Sequence, residues 1–408
     1  MNRRTSSASP PNGSIDFRVI AIGVMGMMSD VRPYTGVRIL DLTHDLGRYA
    51  PRLFADLGAD VIRVEPPEGL PDRVRINNGA STERFGFDFL NAGKRSIVVD
   101  LSLKSGRTSF ANLMKETEIV FLERGAPLAD ELSWVRSLNP AAVVTLVSPY
   151  GLGGPLENVQ ASDLVLQAAG GIAWLSGRPK EPPLRLPFNQ STMITSVYAA
   201  VASAIALVDS ESSGHGHVID VSSQECIAHS LQNALQVFDL TRRVSHRGGE
   251  GTQDASEGVF ACKDGNVFAA MGLGTGRSWV NFCAWTCEAG HACAVEFALE
   301  RWSNAPWRHT GEAMRLFRLH FESFIADYTI EQIMKETLER GLLIAPVNRV
   351  SDLFNDPQLA YRQFFIQMAD PESAGSITFP GAPYKMSVPV WHTAPAPALG
   401  QDNEGIFG

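Results

Sequence analysis

The 408-residue sequence predicts an α/β protein: a parallel sheet covered by helices on both faces, built from both ends of the chain, with a smaller domain inserted. Three observations predict this. From residue 34 onward, short Val/Ile/Leu runs alternate with helical patterns, and uninterrupted apolar strands of this kind belong to sheets buried on both faces. After Arg247 the texture changes to Trp-rich helices with one strand near Val267–Ala270. Strand-like runs then return at Pro346–Val350 and Ile377–Ser387, so the chain comes back to the large domain.

The elements follow in order. Strands are expected at Val37–Leu42, Asp60–Glu65, Arg95–Leu101, Ile119–Leu122 and Ala142–Val147. The helices between them are Tyr49–Leu57, Gly106–Glu116 and Leu128–Leu138. Two long helices, 163–176 and 190–208, lead to a strand at His217–Val221 and a helix over 223–240. The domain plan is an N-terminal extension at 1–33 and a first part of the large domain at 34–215. Linker helices and a small domain follow at 216–340, then a return to the large domain with a Pro/Gly tail at 341–408.

Composition narrows the function classes. With 44% hydrophobic and 19% charged residues the chain can bury a sizeable core. The net charge of −9 without a long basic run argues against a nucleic-acid partner. The apolar run Val19–Met28 is too short to span a bilayer, and the uncharged stretch Phe188–Val208 carries Asn, Gln, Ser and Thr, so it reads as a buried helix. No membrane association and a cytoplasmic location are expected. The five cysteines form no disulfide pattern. Cys283, Cys287 and His291 share a helical spacing, with Cys293 nearby, but their aromatic neighbours favour a core over a metal site, and no metal is expected. His215 and His217 read as a turn.

Common catalytic motifs are missing. Glu65 ends the second strand as a ribose-binding acid would, yet the first turn, Thr43–Ala50, has one glycine and no G-x-G-x-x-G. There is no P-loop, G-x-S-x-G elbow or H-E-x-x-H. What stands out is Ala161-Ser-Asp-Leu-Val-Leu-Gln-Ala-Ala-Gly-Gly171, with a carboxylate at the mouth of an apolar helix. Either Ser162 or Asp163 caps that helix, or Asp163 is a nucleophile.

Further stretches fall in a fixed order: Ala55–Pro67, Phe89-Leu-Asn-Ala-Gly-Lys-Arg-Ser96, Leu138-Asn-Pro140, Ser148-Pro-Tyr-Gly-Leu-Gly-Gly-Pro155 and then Asp163. After them come Gly216–Ser222, Cys262–Gly265, Ala345-Pro-Val347 with Asp356-Pro357, Phe379–Pro383 and Pro397–Gly400. Over residues 34–408 the sequence resembles the class III CoA transferases, the CaiB/BaiF family. The resemblance implies a Rossmann-like large domain, an inserted small domain and two interlocked subunits. It implies that Asp163 attacks an acyl-CoA thioester, forming a mixed anhydride and then passing CoA to another carboxylic acid. It assigns Asn91, Ala92, Gly93 and Lys94, with Tyr150 and Gly151, to the CoA cleft, Lys94 facing a phosphate. Gly248, Gly249 and Gly251 would form an active-site loop that keeps water off the anhydride. No cofactor beyond the CoA thioester substrates is implied. A homodimer is expected, with a heteromer as the alternative.

The chain departs from the family pattern at three places. Leu46-Gly-Arg-Tyr-Ala50 replaces the usual Ala-Gly-Pro; Leu122-Glu-Arg-Gly-Ala-Pro127 replaces Glu-Asn-Phe-x-Pro-Gly, leaving Arg124 as a substitute phosphate partner; and Thr192 replaces an Asp. Two other readings stay open. One is a racemase of the same fold using Asp163 as a base, disfavoured because Pro149-Tyr150 and Ala261 stand where such enzymes place His and Glu. The other is a non-catalytic subunit. The uncharged acyl-side candidates, Trp174, Met193, Phe188 and Tyr150, point to a hydrophobic or aromatic acid.

Overall fold

The computed structural model describes residues 32–73, 85–178, 181–247, 253–272, 276–369 and 375–408. Most of the expected N-terminal extension, and the loop glycines Gly248, Gly249 and Gly251, lie outside the described residues. The chain begins with β1 (Arg38–Asp41), α1 (Tyr49–Asp56), β2 (Asp60–Glu65), α2 (Phe85–Asn91), β3 (Arg95–Val98), α3 (Lys104–Met114), β4 (Ile119–Glu123), α4 (Leu132–Leu138) and β5 (Val143–Ser148). Next come α5 (Asp163–Ala169), α6 (Ile172–Leu175), α7 (Gln190–Ser213), β6 (Val218–Ser222), α8 (Ser223–Ser230) and α9 (Gln232–Thr241). The remainder holds β7 (Glu257–Ala261), β8 (Asn266–Ala270), α10 (Arg277–Glu288), α11 (Gly311–Ile325), α12 (Ile330–Arg340), β9 (Ile344–Pro346), β10 (Phe365–Ala369), β11 (Ser376–Pro380) and α13 (Asn403–Phe407).

Two compact units result. One contains the described residues up to Val147 together with Ala199–Ile219 and Phe364–Gly408; the other contains Ser148–Tyr198 and Asp220–Gln363. Residues 148–198, grouped from sequence with the large domain, and the strand β9 both fall in the second unit.

A six-stranded sheet has the order β3-β2-β1-β4-β5-β6, in which β1 pairs in parallel with β2 and β4, β2 with β3 and β4 with β5. This is the order of dinucleotide-binding folds, with the switch of chain direction between β1 and β4. Ile39, Leu40, Ile62, Val120, Phe121, Val143 and Val144 are all fully buried. Such side chains stabilise the fold by about 1.5–3 kcal/mol each, which is why the strands read as unbroken apolar runs.

The C-terminal segment Phe364–Gly408 returns to the first unit. β10 and β11 pair with each other as an antiparallel ribbon (Phe365 opposite Pro380) and add nothing to the parallel sheet. The tail instead covers the sheet edge. Ser96 N–H donates to Asp402 Oδ2 at 2.8 Å, Asp402 N–H to Ser96 O at 2.9 Å, and Val98 N–H to Asn403 Oδ1 at 2.8 Å. Side chains thereby occupy the donors that an edge strand leaves open.

In the second unit β7, β8 and β9 form an antiparallel sheet packed on aromatic residues, among them Phe282, Trp285, Phe297, Trp302, Phe317 and Phe321. Cys293 lies inside that cluster and Cys283 packs against it, and burial pushes both thiols up to about 11. His291 Nδ1 accepts the N–H of Cys293, and among the described residues no group of three or more His, Cys, Asp or Glu is placed to hold a metal ion.

Two expected helices are broken. Residues 163–176 divide at Gly170-Gly171: a Cβ at Gly170 would sit 2.5 Å from Ile227, and Gly171 has φ +90°. Residues 223–240 divide at Leu231. α7 is 24 residues long and apolar enough to cross a membrane by length and composition. Its buried positions include Ser191, Thr192, Thr195, Ser196, Ala199, Ser203 and Leu207, while Val197, Val201, Ile205 and Val208 are exposed along one stripe. Small residues let the helix approach closely; Ser203 Oγ lies 2.7 Å from Thr145 Oγ1 of β5.

Candidate active site

Asp163 is the first residue of α5, and Ser162 precedes it in extended conformation without a side-chain cap. Neither side chain caps α5, so the expected capping role is not the one observed. The carboxylate turns to another helix. Asp163 Oδ1 accepts the N–H of Ser191, in the first turn of α7, at 2.9 Å, and Ser191 Oγ donates to the Asp163 carbonyl at 3.2 Å. The free N–H groups and positive end of a long helix favour a carboxylate there. Asp163 Oδ2 accepts from Gln167 Nε2 at 2.8 Å, one helical turn along α5. Gln167 is fully buried; its Oε1 accepts Leu186 N–H at 2.7 Å and its Nε2 donates to Leu186 O at 3.3 Å. Asp163 itself is half-buried. A carboxylate has about four acceptor sites, so two donors leave it capacity to react.

Tyr150 and Gly151 lie in the turn after β5. Gly151 has φ +85°, its N–H donates to Ser148 Oγ at 2.8 Å, and Leu152 N–H donates to Asp220 Oδ2 at 2.8 Å. Asp220, on β6, thus fixes this turn, with Tyr150 half-buried on it.

Asn91, Ala92, Gly93 and Lys94 belong to the other unit, and the first, second and fourth are buried. The ammonium of Lys94 donates to Asp41 Oδ2 at 2.7 Å, Arg48 O at 2.9 Å and Asn91 Oδ1 at 2.9 Å. Its side chain has no exposed surface, so here it does not face a phosphate. Strand register places Asp41 opposite Arg63, which also pairs with Asp72 and Glu65. Burial alone would raise the Asp41 carboxyl, but the charges of Lys94 and Arg63 outweigh it and hold the group below the usual range. Glu65 is likewise held low against burial, by Arg73, Arg63 and Ser96. It is fully buried, so it is not free to bind a ribose.

Glu123, at the end of β4, resolves the first turn. Its carboxylate accepts the N–H groups of His44, Asp45, Leu46 and Gly47 at 2.8–3.2 Å. Dinucleotide-binding folds receive a pyrophosphate in this turn; here an internal carboxylate fills it. The neighbouring Arg124 pairs with Asp130 and its side chain is largely buried.

Sequence reasoning missed Gln167, although its place four residues after Asp163 on the same helix could have found it. Ser191 N–H and the roles of Asp220 and Glu123 left no local signal, because each acts on a partner far along the chain.

Comparison with known proteins agrees with the α/β fold. The chain is 32% identical over 388 residues to succinyl-CoA:(R)-benzylsuccinate CoA-transferase subunit BbsE of Thauera aromatica, covering 92% of this chain and 93% of that protein. It is 27% identical over 385 residues to succinyl-CoA–D-citramalate CoA-transferase of Chloroflexus aurantiacus, covering 92% and 93%. A crystal structure of a CaiB/BaiF family protein from Brucella suis shares the fold, with a TM-score of 0.77 at 23% identity over 92% of this chain and 98% of that one. Residues 34–403 match CoA-transferase family III, and the chain belongs to that family: it is a CoA transferase, acting on an acyl-CoA and a carboxylic acid.

Proposed function

We propose that Asp163 is the nucleophile and that the acid receiving CoA carries an apolar group. The observation that carries this reading is the Asp163 carboxylate, half-buried, held by two N–H donors and still able to react. One oxygen attacks the thioester carbonyl, the C–S bond breaks, and CoA leaves as thiolate, giving a mixed anhydride. The thiolate then attacks the aspartyl carbonyl, releasing the donor acid and forming an aspartyl thioester. The acceptor carboxylate displaces CoA to form a second anhydride, and the thiolate attacks its acyl carbon, restoring Asp163. Each step exchanges one activated acyl bond for another, so no other cofactor is needed. Two relatives use succinyl-CoA by name, which makes it the first donor to test. The racemase reading has less support: Asp163 contacts an amide and a backbone N–H, and neither is a second acid or base.

We also propose association as a homodimer through the exposed Val197, Val201, Ile205 and Val208 stripe of α7. Relatives named as subunits make a second, different chain the alternative outcome. Light scattering of the purified chain, with transferase assays of it alone, separates the two.

The deciding experiment incubates the protein with an acyl-CoA panel, traps with hydroxylamine and locates the mass change by peptide mass spectrometry. A modification on Asp163, absent in Asp163→Ala, is expected. An unmodified Asp163 in a protein that still transfers CoA would overturn the nucleophile assignment.

A further inference from the structure

The Asp163 carboxylate is gripped by both ends of one short segment. At Leu186 the segment bonds Gln167 through both its N–H and its carbonyl, and Gln167 holds Asp163 Oδ2. At Ser191 the segment bonds Asp163 directly through a backbone N–H and a hydroxyl. Between these anchors lies Phe188. It has φ +60°, a left-handed conformation that bulky residues avoid, and its side chain is 77% exposed. The carbonyl of Phe188 accepts Gln190 N–H at 3.1 Å, so the bend is closed on itself. An exposed aromatic ring contributes little to stability, and a strained backbone persists only where its surroundings over-determine it. Folding stability therefore does not account for a phenyl ring at this position.

We propose that Phe188 is a specificity-determining residue: its ring packs against the apolar part of the acid whose carboxylate exchanges on Asp163. The inference rests on Asp163 being the reacting carboxylate and adds which residue reads the rest of the substrate. The ligand class is a carboxylic acid with an aryl or branched alkyl substituent. Contact with Phe188 favours that acid over its unsubstituted counterpart, mainly through KM, since the ring touches no reacting atom.

The test uses succinyl-CoA as donor with 2-methylsuccinate and 2-benzylsuccinate as acceptors, on wild type, Phe188→Gly and Phe188→Tyr. Glycine adopts positive φ without strain, so Phe188→Gly is expected to melt no lower than wild type. Its kcat/KM ratio for 2-benzylsuccinate over 2-methylsuccinate is expected to fall by about tenfold or more, chiefly in KM. Phe188→Tyr is expected to keep the ratio. A ratio unmoved in Phe188→Gly, in a wild type that transfers CoA and is modified on Asp163, overturns the assignment of Phe188 and leaves the nucleophile standing. A wild type that prefers 2-methylsuccinate also overturns it. If the wild type transfers CoA to either acid while Asp163 stays unmodified, the nucleophile reading falls and this inference falls with it.

Discussion

Lys94 and Asp163 are both charged residues in motifs that the sequence marks as ligand-facing, and the folded chain treats them in opposite ways. All three N–H donors of Lys94 are satisfied inside its own unit, by a carboxylate, a carbonyl and an amide. Asp163 is half-buried, and two donors hold it while acceptor capacity remains. A saturated buried charge orients its neighbours; a restrained but unsaturated one can form a new bond. Asn91 and Lys94 of the first unit thus hold the strand ends together, and the proposed chemistry is placed on the aspartate.

The sharpest way to break this comparison is to neutralise each member. Asp163→Asn is expected to lower transferase kcat by about 10⁴-fold or more while costing no more than about 1 kcal/mol of stability, read by assay and urea midpoint. Lys94→Met is expected to behave the other way. It leaves Asp41 charged and buried without its ammonium, costing about 3–5 kcal/mol in urea unfolding. A Lys94→Met protein of unchanged stability would refute the structural role.

The same network predicts an acid limb. Asp41 and Glu65 are held below the usual carboxylate range in the folded chain. At low pH the unfolded chain therefore binds more protons, and stability falls as pH drops through the folded values, from about pH 5 downward. Lys94→Met should flatten that limb, since the Lys94 charge is one cause of the low Asp41 value.

Smaller effects follow at two other carboxylates. Glu123→Ala strips the acceptor from four backbone N–H groups and is expected to cost about 1–3 kcal/mol, partly restored by added phosphate. Asp402→Ala should cost about 1 kcal/mol and speed hydrogen exchange at the Ser96 amide. Exchange unchanged there would mean that the tail does not guard the β3 edge.

Much of the fold was legible. Strand positions in the parallel sheet were foreseen to within a few residues because buried parallel strands must be apolar on both faces. The helix breaks were less so: Gly170-Gly171 carries a warning in its glycines, but the close approach of Ile227 is a tertiary fact. The return of the C-terminal segment to the first unit was legible, but its pairing as a separate antiparallel ribbon was not, because a strand pattern does not say which partner it takes.

By itself the sequence determined the parallel strands, the helix that Asp163 opens, and the family resemblance. Each depends on spacing within one strand or one helical turn, which the backbone repeat dictates. The tertiary structure alone decided that Ser191, 28 residues away, donates to Asp163; that Lys94 turns inward to Asp41, 53 residues away; and that Asp402 caps the sheet edge at Ser96, 306 residues away. A hydrogen bond acts over about 3 Å, and which distant groups meet at that range is settled only when the packed core brings their elements together.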